Sequence, residues 1–219
     1  MFNLSEKKVR QEKPSLMIIG NSNVGKSSIT RLLLPNPRKF KGKIGKTPGS
    51  TLLIKSITQI KLPYEIIDLP GFGYSSHSSR RRAEHIKKQI VIHVEKNHQK
   101  YFFGLVVINV LRIEDEINKY YTQNKKTIPL SFELIQFLRE FNIPLLIILN
   151  KSDKISIFDR KRIINLLVKN LKDFGLNLVQ LNRGEEVKQE DIPYLEFSAL
   201  RKTNLLHLKK AIKERLKLT

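Results

Sequence analysis

Short, unbroken apolar runs alternate along this chain with stretches in which apolar residues return every third or fourth position. Leu16-Met17-Ile18-Ile19, Tyr64-Glu65-Ile66-Ile67, Leu145-Leu146-Ile147-Ile148-Leu149 and Tyr194-Leu195-Glu196-Phe197 have the length of buried strands, and Leu52 to Ile60 reads as another. Helical spacing joins Ile86, Ile90 and Val94, then Leu134, Leu138 and Phe141, then Ile163, Leu167, Leu171 and Phe174, and finally Leu205, Leu208 and Ile212. These stripes read as core-facing surfaces. The alternation predicts an α/β fold: a mostly parallel six-stranded sheet with helices on both faces. At 219 residues the chain is long enough to bury its core as one domain.

Three stretches break the pattern. Pro35 to Ser50 and Gly71 to Arg82 carry neither period, and Arg112 to Thr127 is a polar connection containing Glu114-Asp115-Glu116. The last is longer than usual for such a fold and reads either as a contact site or as a mobile loop.

The first apolar run leads straight into Gly20-Asn21-Ser22-Asn23-Val24-Gly25-Lys26-Ser27, which fits the phosphate-cradling pattern GxxxxGK[ST]. The context is the one this motif needs: a buried strand, a tight turn, then a helix whose N-terminal amides face an anion. Gly20 and Gly25 admit backbone conformations closed to residues with a Cβ, so successive N–H groups can converge on a phosphate. The lining predicted for the nucleotide is Asn21, Ser22, Asn23, Val24, Gly25, Lys26, Ser27 and Ser28, with Lys26 reaching the β- and γ-phosphates and the Ser27 hydroxyl binding Mg²⁺. A glycine turn joining a strand to a helix with no ligand would share this composition, but three later segments argue against it.

Asp68-Leu69-Pro70-Gly71 ends the second strand; its carboxylate can hold Mg²⁺ through water, and the Gly71 N–H can meet the γ-phosphate. Asn150-Lys151-Ser152-Asp153 follows the five-residue apolar run, and here chemistry selects the base. The Asp153 carboxylate can accept from guanine N1–H and N2–H₂, a donor pair adenine lacks, and such paired polar contacts reject the wrong base strongly. An N-cap role for Ser152 or Asp153 would leave the Asn-Lys pair unexplained. Ser198-Ala199 is a small-residue turn whose amides are suited to guanine O6. Between the first two motifs, Thr51 is best placed to bind Mg²⁺ through its hydroxyl and sense the γ-phosphate through its amide, with Thr47 as competitor. A Pro-Gly turn leading into a strand is the plainer reading of that segment. Pro35 to Ser50 and Gly71 to Arg82 thus adjoin γ-phosphate-sensing residues and read as switch loops.

Charge changes the picture of partners. With 41 Lys and Arg against 20 Asp and Glu the net charge is +21, which points to a polyanion. Arg31 to Lys46 carries six basic residues and no acidic one, Arg80-Arg81-Arg82 is a triplet, and Arg201 to Lys217 has seven basic residues against Glu214. A solvated lysine-rich surface, as in proteins adapted to heat or salt, is the alternative. An anionic membrane fits less well, because the basic stretches lack a partner face with exposed aromatics. The absence of cysteine excludes disulfides, thiolate metal sites and cysteine-borne lipids, and no apolar run approaches the length of a membrane span. The expectation is a cytoplasmic monomer with no membrane anchor.

With these motifs in place the chain resembles the EngB family of ribosome-assembly GTPases, within the TrmE-Era-EngA-EngB class. The resemblance rests on residues 20 to 27, Thr-Pro-Gly-Ser-Thr at 47 to 51, Asp-Leu-Pro-Gly-Phe-Gly-Tyr at 68 to 74 and Asn-Lys-Ser-Asp at 150 to 153, and runs from about Leu16 to Leu216. The Gly-Tyr extension is the discriminating feature. Pro129 to Glu133 leading into Gln136 to Glu140 is similar to archaeal members, whereas Asn109 to Arg112 departs from the bacterial Asp-x-Arg pattern. The resemblance implies a Ras-like P-loop GTPase domain over 14–219, GTP/GDP and Mg²⁺ as ligands, and a role on rRNA in the large ribosomal subunit precursor. Met1 to Lys13 matches nothing in the family and is expected to be a mobile basic arm.

Ras-type enzymes orient the attacking water with a glutamine just after the DxxG glycine, but here that position is Phe72. A phenyl ring cannot hold water. Catalysis would fall to Lys26, Thr51 and Gly71, with Mg²⁺ on Ser27, Thr51 and Asp68, and intrinsic turnover should be slow. His77 reads as a solvated loop histidine, and Asn23 stands where related GTPases bind an activating K⁺. A P-loop kinase or ATPase would have no use for the Asn-Lys-Ser-Asp segment. A basic RNA chaperone with a vestigial nucleotide site is the remaining alternative.

Overall fold

Strands β1 (Ser15–Gly20), β4 (Tyr101–Asn109) and β5 (Leu145–Asn150) are buried along their whole length in the computed structural model. A continuous apolar run needs such a place, at the centre of a sheet covered on both sides. The structure describes residues 13–40, 54–71, 80–119, 128–181 and 187–219. Around the central three lie β2 (Lys55–Ile57), β3 (Glu65–Asp68), β6 (Leu178–Gln180) and β7 (Ile192–Glu196), in the order β2-β3-β1-β4-β5-β7-β6. Every neighbouring pair is parallel except β2 with β3.

The sheet therefore has seven strands rather than the six expected. Two of the seven, β4 and β6, are not among the apolar runs read above as strands; β6 is a three-residue edge strand paired with β7, too short to register as a period, whereas β4 is a nine-residue buried run at the centre of the sheet. Of the strand expected over Leu52 to Ile60, residues 55–57 are extended and paired, while 52 and 53 lie outside the described residues.

Successive residues of a strand point to opposite faces, and the two cores divide accordingly. Leu16 and Ile18 join α1 (Lys26–Leu33) and α6 (Leu205–Leu216) through Ile29, Leu33, Leu208 and Ile212. Met17 and Ile19 face α2 (Arg80–Asn97), α3 (Ile113–Ile117), α4 (Leu130–Glu140) and α5 (Ile157–Asp173) through Ile90, Ile113, Ile135 and Leu167. All four predicted helical stripes fall on helices, except that Phe141 and Phe174 are the residues that cap the C-termini of α4 and α5. Ser156 caps α5, its Oγ accepting from the Asp159 N–H at 3.1 Å.

The polar connection is more ordered than its composition suggested. Val110–Arg112 forms a 3₁₀ turn, and α3 follows with Ile113 and Ile117 buried. Glu114 accepts both guanidinium N–H groups of Arg162 at 2.7 and 3.0 Å, which ties α3 to α5. Glu116 accepts from the Ser131 N–H at 2.8 Å at the start of α4, so two of the three acids join helices together. Residues 120–127 of that connection lie outside the described residues, as do 1–12, 41–53 and 72–79.

Candidate nucleotide site

Ligands of open α/β sheets collect at the carboxyl ends of the parallel strands, and the predicted residues gather there. The turn after β1 is specified by backbone crowding. Gly20 has φ +150°, and a Cβ on it would overlap the Val107 carbonyl oxygen of β4, a backbone atom with nowhere to go. Gly25, at φ +104°, caps α1, and a Cβ there would overlap the Asn150 side-chain amide. Both glycines are therefore required by space as well as by φ.

Lys26 is 7% exposed and its ammonium donates to the carbonyls of Gly20 and Asn21, both at 2.9 Å. Burial lowers its pKa to about 8, against the opposing pull of the Asp68 charge. Asp68 is 1% exposed, and burial raises its carboxyl to about 6, opposed by Lys26 and Lys55. Its Oδ1 and the Oδ1 of Asn21 are buried and accept no hydrogen bond from the described residues. A buried carboxylate oxygen without a donor, close enough to an ammonium to feel its charge, suits a hard cation and a phosphate. Mg²⁺ is commonly held by one or two protein oxygens plus phosphates and water, and Asp68 offers one such oxygen. Ser27, in the first turn of α1, supplies a hydroxyl of the right class. Gly71 lies against the same loop: a Cβ on it would stand 2.7–2.9 Å from Oγ, Cα and N of Ser22.

The Asn150 to Asp153 segment is joined to the Gly20 to Ser27 turn by direct bonds. Asn150 is buried, donates to the Val24 carbonyl at 2.7 Å and accepts from the Ala199 N–H at 3.0 Å. Lys151, in the left-handed region at φ 68°, donates to the Asn23 carbonyl at 2.7 Å. Burial lowers its pKa, assisted by the charge of Arg112 and opposed by Asp153. Ser198 donates to Asp153 at 2.6 Å while accepting from the Arg201 N–H at 3.0 Å, so the carboxylate is held from the side of the Ser-Ala turn. The Ser152 hydroxyl donates to the Phe197 carbonyl at 2.8 Å.

Asn21, Ser22, Asn23, Val24, Gly25, Lys26, Ser27, Ser28, Asp68, Gly71, Asn150, Lys151, Asp153, Ser198 and Ala199 thus belong to segments bordering one end of the sheet. Thr47, Thr51, Phe72 and His77 lie outside the described residues. Sequence reasoning missed Arg112, which reaches the Lys151 neighbourhood from the 3₁₀ turn, and Thr30, whose hydroxyl donates to the Lys26 carbonyl at 3.0 Å. No local motif marks either one. Arg160, also unpredicted, pairs with Glu196 at 2.8 Å, tying α5 to the end of β7.

The profile of the family described as "50S ribosome-binding GTPase" matches residues 15–151, which run from β1 through the Asn-Lys pair. The chain belongs to the EngB branch of that family. The probable GTP-binding protein EngB of Methanococcus aeolicus is 31% identical over 157 residues, covering 72% of this chain and 66% of the relative. That of Pyrococcus abyssi is 34% identical over 155 residues, covering 70% and 68%. The chain thus spans about two thirds of the length of these curated relatives. A crystal structure of a probable GTP-binding protein EngB superposes with a TM-score of 0.72 at 28% identity, covering 94% of this chain and all of the other.

In this EngB-family site the titration of Asp68 has a measurable sign. The folded carboxyl holds its proton up to about pH 6, while the unfolded one releases it near 3.8. Between those values the native state binds the extra proton, so stability falls as pH rises through the window. Asp68→Asn removes this slope. Between pH 4 and pH 7 the stability difference should move in favour of the variant by about 2 kcal/mol, read from urea titrations of nucleotide-free protein. A difference that stays constant with pH would contradict the assignment.

Proposed function

We propose that this protein binds GTP and GDP with Mg²⁺, hydrolyses GTP slowly to GDP and phosphate, and acts as a nucleotide-dependent switch in assembly of the large ribosomal subunit through its precursor rRNA. The observation that carries the reading is the pair of bonds from Asn150 and Lys151 to the carbonyls of Val24 and Asn23. They lock a guanine-selective segment to a phosphate loop, an arrangement suited to one nucleotide spanning both. Lys26 would neutralise charge on the β- and γ-phosphates, moving its ammonium from the Gly20 and Asn21 carbonyls to phosphate oxygens. Bound Mg²⁺ would supply charge neutralisation across those phosphates, held by Ser27, Thr51 and Asp68. Gly71 would offer its N–H to the γ-phosphate. Phe72 brings no hydrogen-bonding group to the attacking water, so turnover is slow until a partner completes the site.

Residues 14–219 act as the single GTPase domain and 1–13 as a basic arm, in a cytoplasmic monomer; no helix among the described residues is long and apolar enough to cross a membrane. K⁺ is the candidate monovalent ligand at Asn23, which adopts φ 62° and turns its carbonyl to Lys151. A hydrolysis rate several-fold higher in K⁺ than in Na⁺ buffer is expected, and equal rates would remove the ion from the scheme.

The switch is tested by sucrose-gradient sedimentation of an extract with GDP or a non-hydrolysable GTP analogue. The protein should travel with large-subunit particles in the GTP-analogue sample alone. Sedimentation free of particles in both samples would refute the ribosomal role.

A further inference from the structure

The net charge of +21 is not spread evenly over the two faces of the sheet. The helices packed on one face, α2 to α5, contain twelve Lys and Arg against nine Asp and Glu. Several of these are paired across elements: Lys87 meets Glu133 at 2.6 Å, and Arg162 meets Glu114 at 2.7 Å. The helices on the other face, α1 and α6, contain six basic residues and one acid, Glu214. Exposed Arg38, Arg201, Lys202 and Lys217 in the adjoining segments extend the excess, and the described residues 34–40, 197–204 and 217–219 contain no Asp or Glu.

The excess is ordered along α6. Leu208 and Ile212 bury one side of the helix. At 3.6 residues per turn, Lys209, Lys213 and Lys217 recur every four positions, with Lys210 beside them, along the opposite solvent side. The stripe is about 12 Å long at 1.5 Å per residue. Its lone acid lies next to Lys210 at 3.7 Å, with both side chains well exposed, and such a pair is weakly held. A row of ammonium groups on a rigid helix, opposed by a single weakly paired carboxylate, has the form of a phosphate-backbone contact: it positions a polyanion and reads no sequence.

We propose that the face formed by α1 and α6, centred on Lys209, Lys210, Lys213 and Lys217, is the surface on which this protein lays the phosphate backbone of structured RNA. The proposal rests on the RNA-partner reading above and adds its location. RNA is favoured over an anionic bilayer because the stripe is lysine from end to end. The exposed apolar side chains near it among the described residues, Leu200, Leu206 and Leu218, are separated along the chain, and an amphipathic insertion surface needs a continuous apolar side. The location also suits the nucleotide site. Lys26 and Ser27 open α1, and the turn holding Ser198 and Ala199 leads into α6, so both helices of this face begin at the site and the stripe runs away from it along α6.

The test compares two full-length variants with equal change in net charge. One reverses the stripe (Lys209→Glu, Lys210→Glu, Lys213→Glu, Lys217→Glu) and the other reverses Lys88, Lys96, Lys161 and Lys172 on the opposite face. Fluorescent-GDP affinity and the urea midpoint report whether each variant is folded. Binding to a structured rRNA hairpin is measured from about 50 to 200 mM KCl. The stripe variant should lose about 30-fold or more in affinity and about 3 from the slope of log K against log salt, while the other loses less than about 5-fold. Equal losses would show that bulk charge alone attracts RNA, and would overturn the assignment of a face. Loss of binding to phosphatidylglycerol vesicles with RNA binding intact would assign the stripe to membranes instead. Failure of the unmodified protein to bind the hairpin would overturn the RNA reading itself, together with the surface derived from it.

Discussion

Asp153→Asn is expected to lower affinity for GTP and GDP by about 10³-fold and to transfer preference to xanthine nucleotides. The carboxylate is an acceptor at both oxygens, matched to the N1–H and N2–H₂ donors of guanine. Asparagine keeps one acceptor and turns a donor toward N2–H₂, so two donors face each other and one charge-assisted bond is lost. Each such bond contributes about 1.5–3 kcal/mol, and an unpaired buried group adds its own cost. Xanthine carries a carbonyl at position 2 and accepts from the new amide. The variant should remain folded, because the amide oxygen can still accept from the Ser198 hydroxyl that now donates to Asp153 at 2.6 Å. Competition against a fluorescent guanine nucleotide, run with GTP and with xanthosine triphosphate, reads the change. Retained GTP preference would mean that Asp153 does not face the base.

Lys26→Ala separates function from stability. Loss of a preorganised positive donor on the transferring phosphoryl group should reduce hydrolysis by about 10³-fold and weaken triphosphate binding more than binding of guanosine. Without nucleotide the same change should cost little. The ammonium is buried, its pKa is held down to about 8 by that burial, and its bonds to two loop carbonyls offset only part of the desolvation. The nucleotide-free variant is therefore expected to unfold within about 1 kcal/mol of the unmodified protein, an instance of a functional residue carried at a structural cost. Single-turnover phosphate release and urea titration measure the two quantities. A severely destabilised variant would make Lys26 a structural residue first.

Much of this site was legible because its signals are local. Gly20 and Gly25 both take positive φ within one turn, and Lys26 and Ser27 follow them directly on a helix. Asp68 and Asp153 end strands or follow them, where periodicity gives way to chemistry. The arrangement between segments was not legible. Asn150 reads as a base contact, yet its side chain bonds Val24 and Ala199, residues far away along the chain. Arg112 matters through its nearness to Lys151, which depends on how a 3₁₀ turn after β4 meets the loop after β5. In the fold itself, α3 was hidden because two buried positions, Ile113 and Ile117, give too little period among Glu114, Asp115 and Glu116. The helical stripes could be assigned to core from spacing alone. Which sheet face each one covers, and so which face keeps an uncompensated charge, emerges only when the two cores form, one under α1 and α6 and the other under α2 to α5.

One guanine nucleotide spanning the Gly20 to Ser27 loop and the Asn150 to Asp153 segment, and hydrolysed there, is expected to show itself in base-selective phosphate release. Phosphate release by the purified protein with Mg²⁺, compared between GTP and ATP under single-turnover conditions, addresses it directly. The expected result is slow release from GTP, at least about 10³-fold faster than from ATP at equal subsaturating concentration. Comparable release from both nucleotides, or release from neither, would contradict it.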